Sequence, residues 1–254
     1  MQPSITLITG ATSGIGLACA DAFAAIGSHL ILWARRRERL ESEARRLTSE
    51  YGIHVHVDTV DVRDRQAVEA AFTALPAPFA PFDVLINNAG LSRGLDPIQE
   101  GTYENWDEMI DTNIKGLLNV TRTLVPSMIA RRRGTIINIA SIAGRQHYRG
   151  GNVYAATKAA VKMLSDSMQI DLNGTGVRTC NIDPGLVETE FSLVRFRGDT
   201  GRATTVYEGY TPLTGKDVAD CAVFAATRPQ HVSIQDILIT PTDQATASIV
   251  HKQS

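Results

Sequence analysis

The chain has 254 residues and a formal net charge of -2, from 25 basic and 27 acidic side chains. This balance excludes a strong overall field that would attract nucleic acid or an acidic membrane. The length suffices for one large domain or two small ones. No apolar run approaches the roughly 20 residues of a membrane span, and strand-like residues from Ile5 leave no room for a leader. Three cysteines without paired spacing indicate reduced thiols. We expect a soluble cytoplasmic protein without nucleic-acid or membrane partners.

The first predicted strand is followed by a glycine-rich turn and a helix. A short β-branched run ends at Ile8, and an alanine-rich helical pattern begins at Leu17. Glycines let a phosphate approach the backbone, and the N–H groups at a helix start attract it. The arrangement favours a dinucleotide pyrophosphate site over an ordinary glycine-rich turn. The predicted contacts are Gly10, Ala11, Thr12, Ser13, Gly14, Ile15 and Gly16.

A second strand, from Ser28 to Ala34, ends in three consecutive arginines. In dinucleotide folds, a carboxylate near this strand end holds the ribose 2′-hydroxyl of NAD, whereas arginine accommodates the 2′-phosphate of NADP. This chain offers arginine and no acid at that point. We therefore predict that Arg35 and Arg36 bind the phosphate and that the cofactor is NADP(H). Arg37 is assigned to the solvated start of the next helix.

The third strand, from His54 to Val60, leads into Asp61 and Val62, which we expect beside the adenine of the cofactor. His54 and His56 would share one face of this strand, which leaves a metal site as one interpretation. Because no cysteine or carboxylate stands at ligand spacing, packing or surface roles are favoured. We therefore predict no metal site.

The fourth strand, from Asp83, ends in two asparagines followed by Ala89 and Gly90. Asparagines at a strand end can tie neighbouring loops together, and small residues leave room for a flat ring. We therefore expect Asn88, Ala89 and Gly90 beside the cofactor.

A long helical pattern then runs from 103 to 131, with Pro126 as a predicted interruption and Asn113 inside it. An internal asparagine is disfavoured in a helix unless its side chain has a task. That task is either a surface hydrogen bond or the holding of a water or a backbone kink beside an active site.

Tyr154 and Lys158 stand four residues apart, so both side chains face one side of a helix that runs to about 173. A cation close to a phenol favours the phenolate and makes it a usable acid or base near neutrality. Ser141 follows the fifth strand, 135 to 139, at the sheet edge where ligands bind. Alternatives for these three residues are a packed aromatic ring, a solvated charge and a helix cap.

The sixth strand, from 177 to 182, precedes an irregular sequence from Glu190 to Tyr210. An irregular segment after a strand end predicts a substrate lid at about 188–212, with a plain surface excursion as the alternative. A last helix at 215–227 and a last strand at 237–240 complete the alternation of strands and helices. This alternation predicts one α/β domain over 1–254, a Rossmann-type doubly wound parallel sheet with helices on both faces.

Taken together, the motifs resemble the short-chain dehydrogenase/reductase family. The resemblance is carried by Thr9-Gly10-x-x-x-Gly14-Ile15-Gly16, Asn87-Asn88-Ala89-Gly90, Asn113, Ser141, Tyr154-x-x-x-Lys158 and Pro184-Gly185. It implies an oxidoreductase and, by usual family behaviour, a homotetramer formed through helix faces and a final strand. It also implies cofactor contacts at Tyr154, Lys158, Pro184, Gly185, Val187 and Thr189.

The resemblance further implies a role for each predicted catalytic residue. Tyr154 would be the acid or base on the substrate hydroxyl, and Lys158 would lower its pKa and hold the nicotinamide ribose. Ser141 would position the substrate oxygen, and Asn113 would order a water in a proton relay from Lys158.

Other motifs resemble the NADP-dependent 3-hydroxy acid dehydrogenases of that family, which also oxidise serine and allo-threonine. They are Asn88-Ala89-Gly90-Leu91, Gly150-Gly151-Asn152-Val153-Tyr154, Thr189-Glu190-Phe191 and Val194-Arg195-Phe196-Arg197-Gly198-Asp199. This implies hydride transfer at C3 of a small 3-hydroxy acid such as serine, allo-threonine, 3-hydroxyisobutyrate or 3-hydroxypropionate. The loop after Val187 is shorter than in that group, which puts the geometry of the lid in doubt.

A 3-hydroxy acid needs a cation for its carboxylate, and an arginine can hold both oxygens. The candidates are Arg145, Arg195 and Arg197, of which we favour Arg195, with a solvated charge as the alternative for each. Glu188 or Glu190 is a candidate for the ammonium of serine, but a surface role is favoured for both. Two alternatives stay open: a reductase of another carbonyl, such as a 3-oxoacyl thioester, ketone or steroid, and a non-catalytic NADP-binding regulatory protein.

Overall fold

Seven strands alternate with nine helices in residues 4–252, the part of the chain that the computed structural model describes. The strands are β1 (Ile5–Thr9), β2 (His29–Ala34), β3 (Val55–Thr59), β4 (Val84–Asn87), β5 (Gly134–Ile139), β6 (Val177–Pro184) and β7 (Asp236–Ile239). The helices are α1 (Gly14–Ala25), α2 (Arg37–Tyr51), α3 (Arg65–Thr73), α4 (Tyr103–Ile110), α5 (Leu117–Ala130), α6 (Asn152–Asp171), α7 (Phe191–Arg195), α8 (Thr200–Thr205) and α9 (Gly215–Ala226). Residues 1–3 and 253–254 of the predicted domain lie outside the described residues.

The strands form one parallel sheet in the order β3-β2-β1-β4-β5-β6-β7. The chain builds outwards from β1 to β3, and then returns to add β4 on the other side of β1. The carboxyl ends of β1 and β4 therefore flank the point where the strand order reverses, which is where open α/β sheets bind ligands. The predicted doubly wound sheet is confirmed.

Helices cover both faces of the sheet, as the alternation of side chains along β1 illustrates. Ile8 belongs to a buried cluster with Phe23 of α1 and Val218 of α9. Its neighbour Leu7 points to the opposite face and belongs to a second cluster with Leu124 of α5. Because successive strand residues alternate between faces, a hydrophobic layer covers each face of the sheet. A ligand can therefore bind only at the edge of the sheet, where the loops lie.

The helical segment 103–131 is divided at a different place from the predicted one. Pro126 lies inside α5 and does not end it. A proline has no N–H, so the carbonyl of Arg122, four residues earlier, lacks its helical hydrogen bond. Both residues are exposed, so water can bond to this carbonyl instead. The interruption is instead a π-helical turn, Asp111–Gly116, which contains Asn113. Such turns often occur at functional sites.

The segment after β6 is more regular than its sequence suggested. It contains the short helices α7 and α8, and the two helices contact each other. The Gly94 N–H donates to the Arg195 carbonyl at 3.1 Å, and the Arg93 guanidinium donates to the Val194 carbonyl. These bonds fasten α7 to the loop after β4.

Within residues 4–252, none of the helices combines the length and the apolar character needed to cross a membrane.

Candidate active site

A cavity of about 490 Å³ opens at the carboxyl edge of the sheet, over the ends of β1 and β4. The predicted cofactor, catalytic and substrate residues line it, with the exceptions of Ala11, Gly16 and Asn113. Ala11 is fully buried. At Gly16 a Cβ would lie 2.4 Å from both the Gly10 carbonyl oxygen and Asn88 Nδ2, so this glycine serves the close packing of helix and turn.

The glycine-rich turn has the backbone geometry that an anion site requires. Gly10 and Gly14 have φ values of +68° and +55°, in the left-handed region that favours glycine. A Cβ at Gly14 would meet the Thr189 side chain at 3.2 Å. Helix α1 begins at Gly14, where the first N–H groups lack partners within the helix, and the Ser13 side chain does not cap them. The turn therefore fits a dinucleotide pyrophosphate.

Asn88 ties the two strand ends together, as its position in the sequence suggested. Its Nδ2 donates to the carbonyls of Thr9 and Gly10 at 2.9 and 3.2 Å. In return, the N–H groups of Asn88 and Ala89 both donate to Thr9 Oγ1 at 3.0 Å. These bonds hold the loop after β4 against the glycine-rich turn.

Two arginines, Arg35 and Arg36, lie beside this turn. Arg36 donates to Thr12 Oγ1 and to Ser13 Oγ, at 2.9 and 2.8 Å from Nη2. Exposed Arg35 lines the same part of the cavity. Asp61 also lines it, and its carboxylate is paired with Arg63 at 2.6 Å, which lowers the pKa of Asp61. The two arginines predicted to bind a 2′-phosphate thus stand at the end of the cavity nearest the turn.

Tyr154, Lys158 and Ser141 meet on the other side of the cavity. Tyr154 and Lys158 lie one turn apart on α6 and are almost completely buried. Lys158 Nζ donates to the Ile139 carbonyl at 2.8 Å and lies 6.0 Å from the centre of the Tyr154 ring. Ser141 begins a short 3₁₀ turn, and its Oγ accepts from the Ala143 N–H at 3.1 Å. Ser141 therefore caps a turn while it also lines the cavity.

Burial is the largest influence on the pKa values of Tyr154 and Lys158. It raises the pKa of Tyr154 well above its usual range, although Arg195 and a hydrogen bond from Ser141 act in the opposite direction. It lowers the pKa of Lys158 to about 8, despite the opposing charge of Asp183. The cost of desolvating a phenolate therefore outweighs the groups that lower the pKa of Tyr154, and the lowering of this pKa by Lys158 stays a prediction.

Asn113 lies directly behind the cavity wall, in the π-helical turn. Its Oδ1 accepts from the Leu91 N–H at 2.9 Å, and its Nδ2 donates to the Leu91 carbonyl and to Thr157 Oγ1 at 2.9 and 3.0 Å. Asn113 Oδ1 and Lys158 Nζ both approach Gly90, at 3.1 and 3.4 Å from the place where a Cβ would stand. The π-helical turn thus places this amide beside Lys158.

Two of the three candidate arginines for a substrate carboxylate are engaged elsewhere. Arg145 Nε pairs at 2.5 Å with the fully buried carboxylate of Asp183, and its Nη2 pairs with Asp236. Arg197 donates to Asn105 at 2.6 Å and does not line the cavity. Neither is a candidate any longer.

Arg195 lies against the aromatic end of the cavity. Its guanidinium carbon is 5.1, 5.4 and 6.0 Å from the ring centres of Phe191, Tyr154 and Tyr148. Nη2 donates to Tyr148 Oη at 3.1 Å, and the buried Nε has no hydrogen-bond partner among the described residues. A half-buried cation whose buried Nε is an unused donor, beside the Tyr154 ring, is suited to an anionic ligand.

Sequence reasoning missed several residues of this aromatic end. Tyr148, Phe191 and Tyr207 line the cavity, and Gln244, which accepts from the Leu186 N–H, lines it as well. They come from three separate segments: the loop before α6, the segment after β6 and the chain after β7. Local periodicity carries no signal for such residues, because only the folded chain brings the segments together.

Glu190, a candidate for a substrate ammonium, instead pairs with Arg36 and Arg39. For the histidines, the described residues contain no group of three or more side chains able to hold a metal ion. His54 packs against His29, and His56 pairs with Asp58.

The burial of Lys158 generates a prediction about stability. Since its pKa is lowered in the fold from 10.5 to about 8, the unfolded chain binds the extra proton between these values. The unfavourable free energy of burying Lys158 therefore has its largest value below pH 8, and it decreases as the pH rises towards 10.5. We expect Lys158→Met to raise the free energy of unfolding by about 1–3 kcal/mol at pH 7. The gain should shrink at pH 10.

Urea unfolding at pH 7 and at pH 10 measures both values. Lys162→Met, one turn along α6 at a partly exposed position, serves as the control. A gain for Lys158→Met that is the same at both pH values would contradict this account.

The sequence of this chain is similar to those of known dehydrogenases and reductases. A family model described as short chain dehydrogenase matches residues 4–197. The NADP-dependent 3-hydroxy acid dehydrogenase YdfG of Salmonella typhi is 46% identical over 250 residues, which cover 98% of this chain and 99% of the relative. A sulfoacetaldehyde reductase of Chromohalobacter salexigens is 46% identical over 239 residues, which cover 94% of each chain.

Among solved structures, the closed form of a serine dehydrogenase complexed with NADP⁺ superposes with a TM-score of 0.92. It is 44% identical in sequence, and the match covers 98% of this chain and 100% of that one. Since the family model matches residues 4–197 and a relative is 46% identical over nearly the full length of both chains, the chain belongs to the short-chain dehydrogenase family.

Proposed function

We propose that this protein transfers a hydride between NADP(H) and the C3 carbon of a small 3-hydroxy acid, of the serine, allo-threonine, 3-hydroxyisobutyrate or 3-hydroxypropionate type. The observation that carries the substrate class is Arg195, whose guanidinium faces the predicted catalytic tyrosine and whose Nε has no hydrogen-bond partner within residues 4–252. The names of the relatives support the same class.

The cofactor is NADP(H). In this proposal the glycine-rich turn and the start of α1 hold the pyrophosphate, and Arg35 and Arg36 hold the 2′-phosphate. Asp61 and Val62 border the adenine. Asn88, Ala89, Gly90 and the segment from Pro184 to Thr189 complete the binding surface. When bound, NADP⁺ accepts the hydride that leaves the substrate carbon.

Tyr154 handles the proton of the substrate oxygen. Its raised pKa keeps the phenol protonated near neutrality, so in the reductive direction it donates to the oxygen as negative charge develops there. In the oxidative direction the phenol must first pass its own proton along the path beside Lys158, and the resulting phenolate oxygen then accepts the hydroxyl proton. Ser141, on the same cavity wall, holds the substrate oxygen beside Tyr154. Asn113, adjacent to Lys158, supports a proton path away from the pair.

Arg195 binds the acid group and thereby sets the orientation of the substrate. Tyr148 fixes the guanidinium from one side through the 3.1 Å hydrogen bond to its Oη. Because α7 carries Arg195, residues 188–212 act as a lid whose position decides when the acid group can be held.

A second candidate substrate is a small sulfonate such as sulfoacetaldehyde. The sulfoacetaldehyde reductase has the same 46% identity to this chain as the 3-hydroxy acid dehydrogenase, over 94% of the chain compared with 98%. Arginine binds a sulfonate through the same donors that bind a carboxylate. Both substrates would place their anion on Arg195.

We further infer a homotetramer in the cytoplasm. Large apolar side chains are exposed on neighbouring helices of one face, and others lie at the end of the sheet formed by α9 and β7; they are Leu118, Ile129, Met163, Ile170, Phe224 and Leu238. Such side chains suit helix-face and strand-edge contacts between copies. Three cysteines without a disulfide support a reducing compartment.

Light scattering after size exclusion tests the assembly. We expect a mass four times that of the chain, and we expect Met163→Glu with Ile170→Glu to lower it, because both side chains are more than 60% exposed in the single chain. A monomer at micromolar concentration would contradict the inference.

For the chemistry, we expect Tyr154→Phe to abolish turnover and to leave the Kd of NADPH within about twofold, since only the phenolic hydroxyl group is lost. Fluorescence titration gives the Kd, and absorbance of NADPH gives the rate. Tyr210→Phe, outside the cavity, is the matched control and should keep full activity. Substantial turnover by Tyr154→Phe would reject the assignment.

For the substrate, Arg195→Ala should lower kcat/KM for the acids by about 10- to 100-fold, as expected for losing a charged hydrogen bond. Arg197→Ala, in the same segment but outside the cavity, should change it little.

The substrates to compare are L-serine, L-allo-threonine, 3-hydroxyisobutyrate, 3-hydroxypropionate, sulfoacetaldehyde and a plain secondary alcohol. A preference for the plain alcohol would favour the general carbonyl reductases. NADPH binding with no turnover on any of them would favour the regulatory alternative.

A further inference from the structure

One buried carboxylate holds both ends of the turn that carries Ser141. Asp183, next to the last residue of β6, is fully buried and does not line the cavity. Its Oδ1 accepts from the Ser141 N–H at 3.2 Å, and its Oδ2 accepts from Arg145 Nε at 2.5 Å. Between these two partners lie the three residues of the 3₁₀ turn, Ile142–Gly144. The carboxylate therefore ties the start and the end of this turn to β6.

The Asp183 carboxylate is itself held in place from the neighbouring strands. Asn181 Nδ2 donates to Asp183 Oδ2 at 2.8 Å and to Asp236 Oδ1 at 3.0 Å. Arg145 Nη2 also donates to Asp236, the first residue of β7. A buried carboxylate is unfavourable unless its charge is paired and its oxygens accept hydrogen bonds, and here both conditions are met. Asp183 is thus a fixed point behind the cavity wall.

The backbone of Ser141 decides where its hydroxyl group lies. The Ser141 Oγ accepts from the Ala143 N–H at 3.1 Å, but Ala143 belongs to the same turn and moves with it. Two hydrogen bonds join Ser141 to β6: the Oγ donates to the Pro184 carbonyl at 3.5 Å, and the N–H donates to Asp183 at 3.2 Å. The shorter of these two bonds is therefore the one to Asp183.

The same turn also packs against the helix of the predicted catalytic tyrosine. A Cβ at Gly144 would lie 2.6 Å from the Lys158 carbonyl oxygen, so the backbone of the turn touches that of α6. Tyr154 lies one helical turn before Lys158 on α6. A turn in contact with this helix and tied to β6 by Asp183 keeps Ser141 at one distance from Tyr154.

We propose that Asp183 is a positioning residue of the reaction: by holding both ends of the turn 141–145, it fixes the Ser141 hydroxyl beside Tyr154. The proposal rests on the role of Ser141 in the proposed function. It accounts for an acid at this position, because a carboxylate has two acceptor oxygens where an amide has one. It also gives Arg145 a task, as the anchor at the end of the turn.

Asp183→Asn keeps the shape of the side chain but leaves one acceptor oxygen for two donors. Either the Ser141 N–H or Arg145 then loses its bond, and the turn is held at one end. With the panel substrate that has the highest kcat/KM, we expect kcat to fall by about 10- to 100-fold, as for the loss of a charged hydrogen bond. The KM of that substrate and the Kd of NADPH should stay within about twofold.

The Kd of NADPH separates positioning from a general loosening of β6. Pro184 and Gly185 follow Asp183 directly and line the cofactor part of the cavity, so a disturbed strand end would weaken NADPH binding as well. The matched control is Asp236→Asn, which removes a carboxylate bonded to Arg145 but not to Ser141, and its kcat should stay within about twofold of the wild type.

A second substitution tests the competition for the single amide oxygen. In Asp183→Asn with Arg145→Leu, the oxygen is free for the Ser141 N–H. We expect the kcat of this double variant to exceed that of Asp183→Asn and to lie about three- to tenfold below that of the wild type, because the end of the turn is no longer held. The double variant leaves no unpaired buried charge, so it still decides the question if Asp183→Asn does not fold.

Amide hydrogen exchange with saturating NADPH tests the turn without any substrate. Residues 141–145 should exchange faster in Asp183→Asn, or in the double variant, than in the wild type, and residues 153–170 of α6 should exchange at the same rate. Unchanged exchange at 141–145 would overturn the proposal. So would a wild-type kcat in Asp183→Asn, an equal loss of NADPH affinity, or a double variant as fast as the wild type or slower than Asp183→Asn.

Ser141→Ala separates this proposal from the proposed function. It removes the hydroxyl group and keeps the N–H that Asp183 binds. If Ser141→Ala turns over at the wild-type rate, the role of Ser141 in the proposed function fails, and this proposal fails with it. If Ser141→Ala is slow while Asp183→Asn keeps the wild-type kcat, only the positioning role of Asp183 fails.

Discussion

The hydrogen bonds of Asn88 across the ends of β1 and β4 are the constraint on which the rest of the site depends. They join the glycine-rich turn to the loop that begins the opposite wall, at the point where the strand order reverses. Helices cover both faces of the sheet, so the carboxyl edge is the place where the chain leaves a cavity. The functional groups that line this cavity, from Arg36 to Arg195, reach it from loops and helices that the same edge supports.

Burial around Lys158 sets the chemistry and also costs stability. An ammonium group in an apolar wall loses hydration, and its carbonyl partner and the charge of Asp183 compensate only in part. The same wall keeps Tyr154 protonated near neutrality, which suits proton donation to a carbonyl oxygen. The site therefore holds two titratable groups whose pKa values burial moves in opposite directions, a pattern that occurs at functional sites more often than elsewhere.

The segment after β6 joins the two ends of the cavity. Helix α7 is too short to be stable alone, and contacts at both of its ends determine its position. Glu190 meets the arginines beside the glycine-rich turn, and Arg195 meets Tyr148 at the aromatic end. One element thus contacts both ends of the cavity.

The sequence by itself determined the alternation of strands and helices, the glycine-rich turn and the pairing of Tyr154 with Lys158, because periodicity and turn chemistry are local properties. It also restricted the candidates for an acid-binding cation to three arginines. Only the tertiary structure shows that Arg145 is engaged elsewhere, because it donates to Asp183 and Asp236, which lie 38 and 91 residues away in the chain. The position of the helix interruption, the direction of the Tyr154 pKa and the partners of Glu190 were likewise decided there, because burial and long-range ion pairs arise only when distant segments pack together.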